Sequence, residues 1–278
     1  MIDTHLHLWN PSRFRYPWLD GIPALNRQFA LDDYRRAGSV EITASIFVEC
    51  ATGADTYCDE AQCALALASQ PESRIAGVVA SVWPEREDFE ENLSRLAKHS
   101  MLKGIRRVLH TEPDELSQSS VFRKNVASLS KHQLNFDLCV LEKQLPMASA
   151  LVAACPETYF VLDHCGAPDL AANSPGFWRR QITELAKRPN VACKVSGLLL
   201  YAAENQRSAD GIFPWFAHVV EAFGWDRLVW GGDWPVCTLA VPLTEWMMIT
   251  HALLDLAHAT PAQRTALLDN NAKNIYRL

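Results

Sequence analysis

The stretch Ile2-Asp3-Thr4-His5-Leu6-His7-Leu8 opens the chain, and its alternating side chains read as a β-strand. Positions two apart on a strand point the same way, so His5 and His7 share a face and direct two imidazoles at one point. Neutral imidazole is the commonest protein ligand of divalent first-row metals; two ordinary polar residues near a terminus are the plain alternative. A lone His-x-His does not separate the two, so its surroundings have to. No Gly-rich turn succeeds the strand. Trp9 to Phe29 carries Pro11, Pro17, Gly21 and Pro23 and reads as a long loop over the strand's end, with Trp9 and Trp18 as candidate pocket walls or as anchors to the core.

Outward from that strand, one pattern recurs along the chain. Leu31 to Ala37 has helical character, and Ile42 to Glu49, rich in β-branched residues, reads as a second strand. Helix-spaced and strand-like runs then come in turn: Thr56 to Ser69 and Ile75 to Val82, Phe89 to His99 and Leu102 to Leu109, Val121 to Gln133 and Phe136 to Val140. Met147 to Cys155 precedes Tyr159 to His164, Gly176 to Lys187 precedes Val191 to Ser196, and Phe213 to Phe223 precedes Arg227 to Asp233. Thr244 to Ala257 and Pro261 to Tyr276 supply closing helices. Eight strands alternating with helices, without a Gly-rich first turn, predict a closed (β/α)8 TIM barrel and not an open dinucleotide-binding sheet. The expected organisation is a single α/β domain over residues 1–278.

Composition agrees and narrows the function. At 278 residues and 49% hydrophobic, the chain can bury one large core, and no linker divides it. A formal net charge of −6 with scattered Lys and Arg speaks against a nucleic-acid partner. No apolar run is long enough to span a bilayer, and Asp3 in a strand pattern stands where a signal peptide would be basic and then apolar. No membrane partner and a cytoplasmic location are therefore expected. The eight cysteines form no Cys-x-x-Cys pair and fit buried thiols of a reducing compartment. Cys165, Cys193 and Cys237 fall near strand ends, but the sequence pairs none with a base, and they read as packing.

Active sites of such barrels lie at the C-terminal ends of the strands, and this chain is polar there. His5 and His7 end the first strand, Glu49 the second, Arg106 and Arg107 the fourth, His164 the sixth, Lys194 and Ser196 the seventh, and Asp233 the eighth. Three imidazoles and a carboxylate in one basin suit a divalent metal with a position open for water, and equally a metal-free acid–base cluster. Glu49 reads as either a site residue or a solvated loop carboxylate. Lys194 and Arg106 pair with carboxylates, polarise a carbonyl or hold a substrate carboxylate. Asp163, one residue before His164, is expected to face the helices in a structural role.

Five runs fix the resemblance: Ile2 to Trp9, Leu102-Lys103-Gly104-Ile105-Arg106, Leu162-Asp163-His164-Cys165-Gly166-Ala167-Pro168, Lys194-Val195-Ser196-Gly197-Leu198, and Trp230-Gly231-Gly232-Asp233-Trp234-Pro235-Val236. With Asn270-Asn271-Ala272 before Tyr276, they resemble the amidohydrolase-2 family, within it the branch of sugar-lactone and pyrone-dicarboxylate lactonases. The resemblance implies a TIM barrel that hydrolyses a lactone. Carried over by position, it assigns metal-binding roles to His5, His7, His164 and Asp233, with Glu49 as an additional candidate. It implies catalytic roles for Asp233, His164 and Arg106 and places Lys194 at the site; by residue type and position at the strand ends, Trp9, Arg107, Lys194 and Trp234 are the expected substrate contacts. Relatives differ in whether they need a metal, so the expectation is at most one divalent ion, zinc or manganese, and no organic cofactor; Lys103 lies too early in its strand to bridge two metals. Arg107 and His110 depart from the usual pattern.

The expected reaction is hydrolysis of a neutral sugar-acid lactone such as a fucono- or rhamnonolactone, with water activated by Asp233. Glu49, Trp9, Trp18, Tyr201 and Trp234 suit a polyol ring better than a dianion. Rival readings are a lactonase for an acidic pyrone or muconolactone, a metal-dependent decarboxylase of the same superfamily, and a non-catalytic binding barrel. The expected partner is the small lactone, and the sequence leaves a homo-oligomer open.

Overall fold

Eight apolar, β-branched runs form parallel strands ordered β1 to β8 in a single sheet. They are β1 (Ile2–Leu6), β2 (Ala44–Val48), β3 (Ile75–Ser81), β4 (Leu102–Val108), β5 (Asn135–Cys139), β6 (Phe160–Leu162), β7 (Val191–Val195) and β8 (Leu228–Trp230). This computed structural model describes residues 1–38, 41–172 and 175–278. The sheet closes just past β8, where Asp233 N–H donates to His5 O at 2.8 Å and His7 N–H to Trp234 O at 2.9 Å. The result is the (β/α)8 barrel that the alternation predicts, with helices α1 (Leu31–Ala37), α2 (Tyr57–Ala68), α3 (Phe89–Leu96), α4 (Ser120–Ser128), α5 (Leu145–Ala154), α6 (Gly176–Ala186) and α7 (Ala209–Phe223) between the strands. After β8 come α8 (Leu243–Leu256), α9 (Pro261–Thr265) and α10 (Asn271–Tyr276), the last two joined by a π-helical turn at Ala266–Asn270.

Two apolar layers hold the barrel. Ile2, Ile46, Val48, Val79, Val161, Ala192 and Val229 fill its interior together with Tyr276 from α10. Outward-facing strand residues such as Phe136, Phe160 and Leu228 pack against the helices, and all three are fully buried. The interior changes character toward the C-terminal ends of the strands, where Arg106, Asp137, Asp163 and Lys194 replace the aliphatic layer, each at most 4% exposed. Buried charge is costly unless paired, so these residues have to satisfy one another, and that pairing sets the site's geometry.

Helix limits follow local capping. α7 begins at Ala209 instead of Phe213 because Ser208 accepts from Gly211 N–H at 3.2 Å and caps the extra turn. α4 stops at Ser128, and a 3-10 turn over Leu129–His132 completes the run that the sequence presents as one helix.

Candidate active site

β1 ends at Leu6, short of the expected run, so it carries His5 and is followed directly by His7; both imidazoles reach the barrel mouth, with ring centroids 4.8 Å apart. Ile2 and His5, three residues apart, both point inward because the β1–β2 register shifts between Asp3 and Leu6. Asp3 locks the segment: one carboxylate oxygen accepts from His5 N–H (2.9 Å) and Gly232 N–H (2.7 Å), and the other from Tyr34 OH (2.7 Å). A Cβ at Gly232 would lie 2.5 Å from that carboxylate, so the glycine is required there. Sequence reasoning misses Asp3, although its burial between the first and last strands fixes where His5 and Asp233 stand.

At β6 the structure corrects the expectation. The strand ends at Leu162, and inward-facing Val161 is followed two residues later by inward-facing Asp163, which is 1% exposed. Asp163 therefore enters the site instead of facing the helices. His164 reaches the cavity by another route: its backbone is left-handed, with φ of 52°, which breaks the strand alternation. Its Nδ1 lies 2.8 Å from Ser196 Oγ, and a Cβ on Gly197 would come within 2.7 Å of the same nitrogen. Burial lowers the basicity of His164, so its imidazole stays neutral.

Asp233 is also left-handed, with φ of 55°. Non-glycine residues in this region cost about 1–3 kcal/mol each and concentrate at functional sites. One ligand atom each from His5, His164 and Asp233 lies within 4.8 Å of the others. His7 stands beside this group, its Nε2 3.6 Å from Asp233 Oδ1. Because His7 Nδ1 must donate to Val48 O at 2.8 Å, a neutral His7 turns an Nε2 lone pair toward that carboxylate. A lone pair and a carboxylate turned toward each other are two donors that one cation can take. The donor set fits a divalent ion, with nitrogen and oxygen ligands of the expected kind.

Glu49 does not join this group. It is 2% exposed, and its two oxygens accept from Arg106 Nε at 2.6 Å and from Ala51 N–H at 2.7 Å. Arg106 also donates to Asp163 Oδ2, and its Nη1 lies 3.2 Å from both that oxygen and His5 Nε2. Burial opposes the charge on Arg106, yet Glu49 and Asp163 outweigh it and keep the guanidinium charged. Lys194 is fully buried, its Nζ 2.8 Å from both Asp137 and Asp163 and 3.1 Å from His5 Nδ1. Its position is a correction to the expected substrate contact: Lys194 holds carboxylates and His5 from beneath, and it is not among the residues lining the cavity.

The cavity above these groups has a volume of about 720 Å³, with His7, His164 and Asp233 at its base and Arg106, Arg107 and Tyr201 among its walls. Trp18 lines it and donates Nε1–H to Cys50 O at 2.9 Å. Trp9 and Trp234, expected as substrate contacts, do not line it. Trp9 turns its indole N–H to Leu25 O and Arg27 O, and Trp234 packs 5.4 Å from the rings of Phe29 and Tyr34, so both are core. The fold also pairs cysteines with bases where the sequence shows none: Cys139 Sγ is 3.4 Å from His110 Nδ1, and Cys50 Sγ is 3.8 Å from His7 Nδ1. Burial pushes the Cys139 thiol up to about 12, so it stays protonated and un-nucleophilic.

The amidohydrolase family model matches residues 2–278, and the chain belongs to that family. An L-fucono-1,5-lactonase of Burkholderia multivorans is 32% identical over 290 residues, a match covering 100% of this chain and 96% of that protein. The L-fucono-1,5-lactonase of Burkholderia ambifaria is 29% identical over 287 residues, covering 100% and 95%. A crystal structure of an amidohydrolase from Burkholderia multivorans with bound zinc is 32% identical and aligns with a TM-score of 0.89, covering 100% of this chain and 99% of that one.

Proposed function

We propose that this protein is a hydrolase that opens a neutral sugar-acid lactone, an aldonolactone of the fuconolactone kind. The observation that carries the choice of a neutral substrate is the state of the cationic wall. Arg106 is held by Glu49 and Asp163, and Arg107 by Glu85 and Glu112, so each arginine at the cavity already has two carboxylate partners. A substrate carboxylate would meet those acids as well as the arginines, whereas hydroxyls of a polyol ring find donors and acceptors side by side. The full-length match to fuconolactonases supports the same class.

Asp233 is the base in this reading. It takes a proton from water as the oxygen adds to the ring carbonyl, and returns it to the ring oxygen as the C–O bond breaks. Arg106 stabilises charge on the carbonyl oxygen. Ser196 either accepts from or donates to His164 Nδ1, so His164 presents Nε2 to the site as a lone pair or as an N–H. Zinc or manganese held by His5, His164 and Asp233 would supply Lewis-acid polarisation of that carbonyl. A cytoplasmic place in carbohydrate metabolism accompanies this substrate class.

The test is proton release from L-fucono-1,5-lactone by the purified protein, run beside an assay of carbon dioxide release from an aromatic acid. Lactone opening without decarboxylation is the expected result. Carbon dioxide release without lactone opening replaces the hydrolase with a lyase.

A further inference from the structure

Arg107 and its surroundings are built more elaborately than a surface ion pair requires. The residue is only 8% exposed and lines the cavity together with Glu112. Its Nε donates to Glu85 Oε1 at 2.9 Å, and its Nη2 lies 2.8 Å from Glu85 Oε1 and 3.1 Å from Glu112 Oε1. The guanidinium carbon sits 4.0 Å over the Trp83 ring, which stacks on Tyr57 at 5.2 Å and 14°. Trp83 is itself tied to Ser81 Oγ through its indole N–H at 3.1 Å. Carboxylates at two points and an aromatic face beneath thus fix the fork. Among the described residues, Nη1 carries no hydrogen bond, and the hydroxyl of Thr52, a buried residue lining the same cavity, has no partner.

We propose that Arg107 and Glu112 read a vicinal diol of the lactone, which makes them determinants of specificity for polyhydroxylated rings; this rests on the lactonase reading. Each hydroxyl of a diol both donates and accepts. One O–H donates to the Glu112 carboxylate, while a hydroxyl oxygen accepts from Arg107 Nη1, and the Thr52 hydroxyl supplies a further partner. Trp18 and Tyr201, which line the same cavity, give the ring's C–H face an apolar surface. A site built to bond hydroxyls discriminates against a ring that lacks them, because its polar groups are then left unpaired.

The experiment measures kcat/KM for an aldonolactone and for unsubstituted δ-valerolactone, which carries the same ester without hydroxyls. Parent, Arg107→Met and Glu112→Gln proteins are compared, with folding checked by thermal melting; Glu112→Gln keeps Glu85 on Arg107 and guards against misfolding of the first variant. The ratio of the two kcat/KM values is expected to fall by about tenfold or more in both variants. Ratios within about threefold of the parent in folded variants overturn the proposal while leaving the lactonase intact. A parent that cleaves neither lactone overturns the lactonase reading, and the diol site with it.

Discussion

Asp163 Oδ1 sits 2.8 Å from the ammonium of Lys194, and neither side chain is more than 1% exposed. The same lysine holds Asp137 at 2.8 Å and stands 3.1 Å from His5 Nδ1, so one buried cation gathers groups from three other strand ends beneath the candidate site. Removing one partner of a buried pair leaves an uncompensated charge, at a cost of about 3–5 kcal/mol. Lys194→Met is therefore expected to destabilise the fold by that amount, read as a drop in unfolding free energy in urea. A loss below about 1 kcal/mol would mean that the two aspartates find other partners.

This network also marks where the sequence stops being legible. The barrel is legible because eight apolar runs keep their order and polar ends, and α1 lies at the limits its residues suggest. Asp163 keeps the alternation set by inward-facing Val161, and it is His164 that defeats a period-2 reading, because β6 ends at Leu162 and the left-handed backbone of His164 turns its side chain to the site as well. Trp9 and Trp234 suit a pocket wall by residue type; only packing against Leu25, Phe29 and Tyr34 shows them to be core. Asp3 acts through Gly232, 229 residues away, and Glu85 and Glu112 reach Arg107 from loops whose course no strand or helix period reveals.

Asp233→Asn keeps the shape of the proposed base and removes its proton affinity. Turnover of an aldonolactone is expected to fall by about 10² to 10⁴ with the melting temperature little changed. Near-normal turnover in the folded variant would take Asp233 out of the mechanism.

Exhaustive chelation should remove lactonase activity, and added zinc should restore it, because His5, His164 and Asp233 offer converging ligand atoms. Arg106 Nη1, 3.2 Å from His5 Nε2, is the competing cation in the same space. Full activity in demonstrably metal-free protein would give the electrophilic role to that arginine and the histidines.

Glu60 supplies a pH dependence of stability. Burial, and then the neighbouring Glu49 carboxylate, push its carboxyl up to about 8; one oxygen accepts from Cys50 N–H and the other has no partner among the described residues. The folded state binds this proton more tightly than the unfolded chain, so the contribution is complete below the ordinary glutamate range and is lost as pH rises to about 8. Between about pH 5 and 8 the parent is expected to lose stability relative to Glu60→Gln, by at most about 1.4 kcal/mol per pH unit. Urea titrations of both proteins at several pH values check this; parallel stability curves would show that Glu60 ionises normally.

The central claim is that a wall of carboxylate-paired arginines suits a neutral polyol lactone, and a ranked substrate panel tests it most directly. The decisive measurement is kcat/KM for L-fucono-1,5-lactone against 2-pyrone-4,6-dicarboxylate under the same conditions. The account predicts at least about a tenfold preference for the neutral lactone, equivalent to roughly 1.4 kcal/mol in transition-state binding. A dicarboxylate that ranks first would contradict it and would mean that Arg106 or Arg107 exchanges its protein carboxylates for those of the substrate.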